Sequence, residues 1–218
     1  MKKSFLVIGL GRFGYNIAKT LSDLDLQVLA IDIKEENVNK IASFIPQCAI
    51  ADSTKKDVLE ELNVSNIDHA VIAIGNNLQS TVLTIINLKN LGVNKITVRA
   101  DEESHKEIYK MLGATEVILP EEASAISLAN QMSSDSILDY YELENDYVMV
   151  KVVVGEKFES QSLIDLNVRN RFDVNIVGVI NNGKFIIPRG PDKLHPGNIL
   201  VVVGTKNKIK KFDNYLNE

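Results

Sequence analysis

Along the first two-thirds of the chain, apolar positions fall into short unbroken runs separated by amphipathic stretches. The runs cover residues 5–8, 28–31, 48–50, 70–74, 96–98 and 117–119. Continuous apolar character over so short a length is what a parallel strand shows when helices cover both of its faces. Helical periodicity fills the gaps over residues 13–24, 35–44, 55–62, 77–91 and 102–112, and a sixth helix runs from 121 to 134. Punctuation agrees with this reading. Asp52-Ser53-Thr54 and Asp101 stand where helices should start, and Gly92 and Gly113 where they should stop. Six strands alternating with helices predict an α/β fold, a Rossmann-like doubly wound parallel sheet.

After the polar stretch Ser133-Ser134-Asp135-Ser136 the pattern changes. Strands are expected over 147–154, 174–180, 184–187 and 199–203, with a hairpin turn at Asn181-Asn182-Gly183 and a closing helix over 206–216. The expected division is therefore a doubly wound domain over residues 1–134, followed by a linker and a small α+β domain over 135–218.

Composition narrows the function. With 45% apolar residues and a net charge of -5, the chain can bury a core and has no electrostatic reason to seek nucleic acid. Carboxylates are in excess through Tyr141, and the remainder is near neutral. A single cysteine, Cys48, forms no intrachain disulfide and fits a reducing compartment. Lys2 and Lys3 ahead of Phe5–Ile8 imitate a secretory leader, but Gly9, Gly11 and Arg12 interrupt the run. No stretch reaches the roughly 20 apolar residues that span a bilayer. A cytoplasmic protein is expected, acting on any membrane process through a partner.

The first strand runs into Gly9-Leu10-Gly11-Arg12-Phe13-Gly14. In this strand–loop–helix setting Gly9 permits the turn, Gly11 lets backbone approach a phosphate, and Gly14 lets helix pack close to strand. Asp32 ends the second strand, where a carboxylate accepts from ribose hydroxyls. Arg12 lies inside the loop, and its guanidinium suits terminal phosphate oxygens; the alternative is a solvated helix arginine. Asp52 and Ser53 end the third strand and either flank an adenosine or cap the next helix. Ala73-Ile74-Gly75-Asn76 leaves room at the sheet's crevice, and Arg99 and Glu121 follow later strands as charged groups that alone read as surface. His69, His105 and His195 are scattered, and no catalytic triad or metal motif accompanies them. A nucleotide without visible chemistry favours sensing over catalysis.

These features together resemble the RCK (regulator of potassium conductance) family, and within it the Ktr- and Trk-type uptake proteins. The resemblance rests on residues 7–14, on Val71-Ile72-Ala73-Ile74-Gly75, on Leu112-Gly113-Ala114 with Val117-Ile118-Leu119-Pro120-Glu121, and on a C-terminal pattern. That pattern comprises Ser162-Leu163, Asp165-Leu166, Arg169, Val177, Pro191-Asp192-Lys193-Leu194, Gly197 and Val201-Val202-Val203-Gly204. The resemblance implies an RCK N-terminal domain and a small RCK C-terminal domain, with no enzymatic activity. It implies a homo-oligomer, dimers assembling into an octameric ring, beneath a membrane-embedded potassium-translocating subunit. ATP would activate and ADP inactivate, with Arg12 at the terminal phosphates, Asp32 on ribose and Asp52 along the adenosine. Glu121 would help place a divalent cation such as Mg or Ca between paired subunits. The C-terminal domain would bind cyclic di-AMP as an inhibitor, through Arg169 and Asn175, with Ile164, Ile176, Val177 and Pro191 lining the cleft and His195 assisting. Gly197-Asn198 stands where the family often has Gly-Asp, and Asn181-Asn182-Gly183 where many members carry arginine. NAD remains an alternative ligand, as does an NAD-dependent oxidoreductase as an alternative function.

Overall fold

The computed structural model describes residues 2–75 and 77–218; Asn76, expected at the crevice, lies outside them. The chain divides into two compact units, one ending at Glu121 and the other running Glu122–Glu218.

The first unit alternates β1 Ser4–Ile8, α1 Arg12–Asp23, β2 Gln27–Asp32, α2 Glu35–Ile41, β3 Cys48–Ile50 and α3 Lys56–Glu61, then β4 His69–Ile72, α4 Leu78–Asn90, β5 Lys95–Arg99, α5 Ser104–Leu112 and β6 Glu116–Ile118. All six strands are parallel, in the order β3-β2-β1-β4-β5-β6. The period of two along each strand explains the unbroken apolar runs. Leu6, Ile8, Ile31, Ala70 and Ile72 face one layer, which contains Leu59, Ile85, Leu88 and Tyr109 from α3, α4 and α5. Val7, Val28, Ala30 and Val71 face the other, with Ala18 of α1 and Val38 and Ile41 of α2. The order reverses between β2 and β4 about β1, which opens a crevice at the carboxyl ends of these strands.

The second unit begins within α6 Pro120–Met132. It continues with β7 Ile137–Glu142, β8 Tyr147–Val153, β9 Gln161–Ser162, α7 Leu163–Leu166, α8 Val168–Phe172, β10 Asn175–Asn181, β11 Lys184–Ile186, β12 Lys193–Leu194, β13 Ile199–Thr205 and α9 Lys206–Asn217. Five strands form an antiparallel sheet, β11-β10-β13-β8-β7, and β12 pairs with β9. Alternate positions Val148, Val150 and Val152 of β8 are buried against Leu200 and Val202 of β13 and against Ile209, Phe212 and Leu216 of α9. Asn182 and Gly183 both have positive φ, 49° and 75°, which turns β10 into β11 with the twist that a tight hairpin requires.

By sequence pattern alone, residues 121–134 belong with the first domain and the polar stretch beyond them is linker. In the structure α6 clusters from Glu122 with the second unit, and β7 extends its sheet as an edge strand. Only Tyr140 of β7 is buried, and the ladder is irregular between Ile137 and Asp139, so the apolar residues of this strand do not alternate. The serines are also ordered. Ser134 and Ser136 hydroxyls donate to the buried Asp213 carboxylate of α9, which Asn217 Nδ2 also reaches at 2.9 Å.

At the amino ends of the parallel strands, His69 Nε2 lies 2.8 Å from Thr97 Oγ1, whose hydroxyl donates to Glu116 Oε2 at 3.0 Å. Thr97 has spent its proton on Glu116, so His69 must donate from Nε2. Partial burial, opposed by Glu116 and reinforced by Lys95 and Lys3, holds the His69 pKa below its ordinary 6.5. The unfolded chain therefore takes up this proton first, and the stability contribution is lost as pH falls from the ordinary value toward the lowered one. Thermal midpoints measured between pH 7.5 and 5.5, a range set around the ordinary imidazole pKa of about 6.5, should decline. His69→Gln, which keeps a donor to Thr97 but does not titrate, should show a smaller decline.

Candidate nucleotide site

The phosphate loop is held by contacts that leave no space for side chains. Gly9 has φ +88°, and a Cβ there would stand 2.8 Å from the Ala73 carbonyl oxygen. A Cβ on Gly14 would fall 1.9 Å from the Gly9 carbonyl oxygen, so α1 can begin this close to β1 only through glycine. Gly11 differs: its missing Cβ points into open space. The first backbone bond at the helix start runs from Tyr15 N–H to Gly11 C=O at 2.8 Å. The N–H groups of Arg12, Phe13 and Gly14 precede it, and no acidic side chain occupies the first turn. Free donors at the positive end of a helix dipole suit an anion.

Asp32 stands beside this loop, 8% exposed. Its Oδ2 accepts from Leu10 N–H at 2.6 Å and from Asn37 Nδ2 at 3.0 Å, and its Oδ1 accepts from Lys34 N–H at 2.8 Å. The carboxylate thus fastens the end of β2 to the phosphate loop. Asp52 lies beyond it, its Oδ1 taking both the hydroxyl (2.6 Å) and the N–H (3.0 Å) of Thr54. The Thr54 hydroxyl, helped by its N–H and the Lys55 charge, holds the Asp52 carboxyl below the ordinary range despite partial burial. Ser53 is 4% exposed, with its hydroxyl 2.8 Å from that of Thr84, so its side chain is committed to the protein.

At the other end, Arg99 donates to Asp101 Oδ1 at 2.9 Å and to Glu121 Oε1 at 2.8 Å. The Arg99 side chain is 17% exposed and that of Glu121 65%. Arg12 is exposed and forms no ion pair among the described residues.

One cleft of about 580 Å³ joins these groups. Of the residues nominated from sequence, Gly9, Gly11, Arg12, Phe13, Asp32, Asp52, Ser53, Ala73, Gly75, Arg99 and Glu121 line it. Gly14 is buried at the start of α1, where its role is close packing. The nominations omit Lys34, Asn37, Thr54, Asn77 and Ser80, which also line it. Asn37 does carry a sequence signal, a polar amide in the first turn after the acidic residue of β2. A second cleft of about 500 Å³, between α6 and β7, contains none of the nominated residues.

In the second unit, Arg169 of α8 donates through Nε and Nη2 to Asn175 Oδ1 at 3.0 and 2.8 Å. Ile164, 64% exposed, packs against Gly190 beside Pro191 and donates its N–H to the Gly190 carbonyl at 3.0 Å. Ile176 pairs with Val202, and Val177 falls at the irregularity in the β10–β13 ladder. His195 Nδ1 is engaged with Ser160 Oγ at 2.8 Å, and no hydrogen bond joins it to Arg169 or Asn175 among the described residues. Asn198 is buried, and its Oδ1 accepts from His195 N–H at 3.0 Å. An aspartate oxygen can make that bond equally.

A doubly wound sheet with an open phosphate loop, joined to a small antiparallel unit, defines a two-unit chain with a candidate nucleotide site in the first unit. The TrkA-N domain family matches residues 5–120 and the TrkA-C domain family residues 147–217, and the chain belongs to this TrkA-N/TrkA-C family. It is 39% identical to Ktr system potassium uptake protein C of Bacillus subtilis (strain 168), over 98% of this chain and 97% of that protein. It is 36% identical to Ktr system potassium uptake protein A of the same organism, over 97% of this chain and 96% of that one. Among solved structures, the GsuK RCK domain superposes with a TM-score of 0.68 at 16% identity, over 100% of this chain and 48% of that one, which shows the shared fold. The kinship is with potassium-uptake proteins. No helix among the described residues is long and apolar enough to cross a membrane.

Two glycine substitutions should separate fold from site. Gly14→Ala places a methyl group inside the Gly9 carbonyl and should cost at least the ~1–3 kcal/mol typical of overpacking, read as a lowered thermal midpoint. Gly11→Ala meets no protein atom and should lower that midpoint less than Gly14→Ala, by the ~1 kcal/mol or under of a poorer N-cap, while weakening nucleotide binding.

Proposed function

We propose that this chain is the nucleotide-sensing regulatory subunit of a membrane potassium-uptake system, activated by ATP and inactivated by ADP. The observation that carries the reading is the phosphate loop itself. Free helix-terminal N–H groups stand beside Arg12, a guanidinium with no ion pair among the described residues. A ligand shifts a conformational equilibrium only through differential contact. A γ-phosphate supplies such a difference by adding charge and acceptors beside an unspent cation. The likeness to the Ktr uptake proteins supports the potassium system as the regulated process.

In this reading the chain assembles as dimers into an octameric ring on the cytoplasmic face of the membrane, against the potassium-translocating subunit. A divalent cation at Glu121 needs donors from outside the chain, because Arg99 holds that carboxylate. No cluster of three His, Cys, Asp or Glu fit for a metal occurs among the described residues. In the second unit, cyclic di-AMP is the proposed inhibitor. Arg169 and Asn175 already touch, which brings a phosphate donor and a base-reading amide to one spot beside the start of β10. NAD is the second reading, favoured by the continuation of the cleft past the loop to Arg99 and Glu121, which offers a second nucleoside room.

Calorimetry with ATP, ADP and NAD tests the first site. ATP should bind more tightly than ADP, and Arg12→Ala should remove about tenfold or more of that preference, the worth of a hydrogen bond to a charged group. Equal affinities for ATP and ADP in the unaltered protein would refute nucleotide gating. For the second site, Arg169→Ala should weaken cyclic di-AMP binding by about 10- to 100-fold, and an unchanged affinity would remove Arg169 from it.

A further inference from the structure

Asp32 does not stand alone at the cleft. Its Oδ2 is filled by Leu10 N–H and Asn37 Nδ2, whereas Oδ1 accepts only Lys34 N–H. A carboxylate offers only acceptors, so the NH2 end of the Asn37 amide must face Asp32. Its carbonyl oxygen is thereby turned away from Asp32. It takes no hydrogen bond among the described residues, and Asn37 lines the cleft. Two acceptors are thus left open on residues joined by a hydrogen bond, the remaining lone pair of Asp32 Oδ1 and the Asn37 amide oxygen. A ribose cis-diol presents two donors, one for each of these acceptors on the cleft wall.

We infer that Asn37 is a sugar-specificity residue of the nucleotide site, holding the Asp32 carboxylate in place and accepting one of the two ribose hydroxyls. The inference rests on the adenine-nucleotide reading given above and deepens it. Asn37 and Asp32 have separable roles. Asp32 also anchors Leu10 of the phosphate loop, so its loss disturbs phosphate and sugar together. The Asn37 side chain forms no hydrogen bond to the loop among the described residues, and Asp32 keeps its bonds from Leu10 and Lys34 N–H without it, so its loss falls first on the sugar. Asn37 is half-buried in the first turn of α2, and its truncation leaves the core residues Val38 and Ile41 untouched.

The test is a comparison of ATP with 2′-deoxy-ATP and 3′-deoxy-ATP by calorimetry on the full chain. The unaltered protein should prefer ATP by about tenfold over at least one deoxy form, since a hydrogen bond to an anchored polar group is lost. In Asn37→Ala that preference should shrink to about threefold or less, with the affinity for the deoxy form itself nearly unchanged. A merely structural role would instead weaken all three nucleotides alike and keep the preference, and that result would overturn the inference. So would an absence of preference in the unaltered protein, which requires no variant. Failure to bind any adenine nucleotide would overturn the underlying reading and this inference with it, and is distinct from binding without sugar discrimination.

Discussion

The close approach of Gly14 to the Gly9 carbonyl is the constraint on which the rest of the first unit depends. A single methyl group at Gly14 would lie 1.9 Å from that oxygen. Because the contact is between backbones, α1 starts directly over the end of β1 and points its unsatisfied N–H groups into the crevice. The same proximity lets Asp32 reach Leu10 N–H across the gap between β1 and β2. Helix, loop and neighbouring strand are therefore fixed as one piece before any ligand arrives. Such preorganisation spares a bound phosphate the cost of ordering the loop.

Much of this was legible in the sequence because parallel strands buried on both faces leave unbroken apolar runs, and because a glycine with a packing role cannot be replaced. The six strands and the phosphate loop follow from those two signals. What the sequence concealed has a common physical cause: elements stabilised by one-sided or polar contacts. β7 buries only Tyr140, pairs with a single neighbour and slips register between Ile137 and Asp139, so its apolar residues do not alternate as those of a half-buried strand do. Ser134 and Ser136 read as linker composition, yet they satisfy the buried Asp213, a partner 77 or more residues away that no local pattern announces. β9, α7, α8 and β12 are too short for periodicity to register. At the site, Ser53 illustrates the converse. Its position in the cleft wall was readable, but the turn of its hydroxyl toward Thr84 depends on a helix 31 residues on.

The two arginines of the cleft differ in a way that composition cannot express. Arg99 is nearly buried and meets two carboxylates, so much of its charge is answered within the protein. Arg12 is exposed at the first residue of α1, where the helix dipole adds positive potential to its own. A phosphate arriving at Arg12 displaces water. One arriving at Arg99 must displace Glu121 or Asp101, and an anion that separates a formed ion pair leaves a carboxylate to be resolvated. The near end of the cleft is accordingly the end that responds to phosphate charge at little cost.

That asymmetry also bears on which ligand the cleft reads. A dinucleotide extends its second nucleoside toward the far end, where the ion pair of Arg99 and Glu121 offers charge instead of an apolar bed for a nicotinamide ring. In the reading proposed above, a mononucleotide would place its base near Asp52, its sugar at Asp32 and Asn37, and its phosphates over the free amides and Arg12. Each of these groups is already oriented by a protein hydrogen bond or by a glycine contact, apart from Arg12, whose freedom lets it follow the phosphate count. In the reading proposed above, the rigid part of the site selects a nucleoside, and Arg12 at the helix start is the cation placed to tell two phosphates from three.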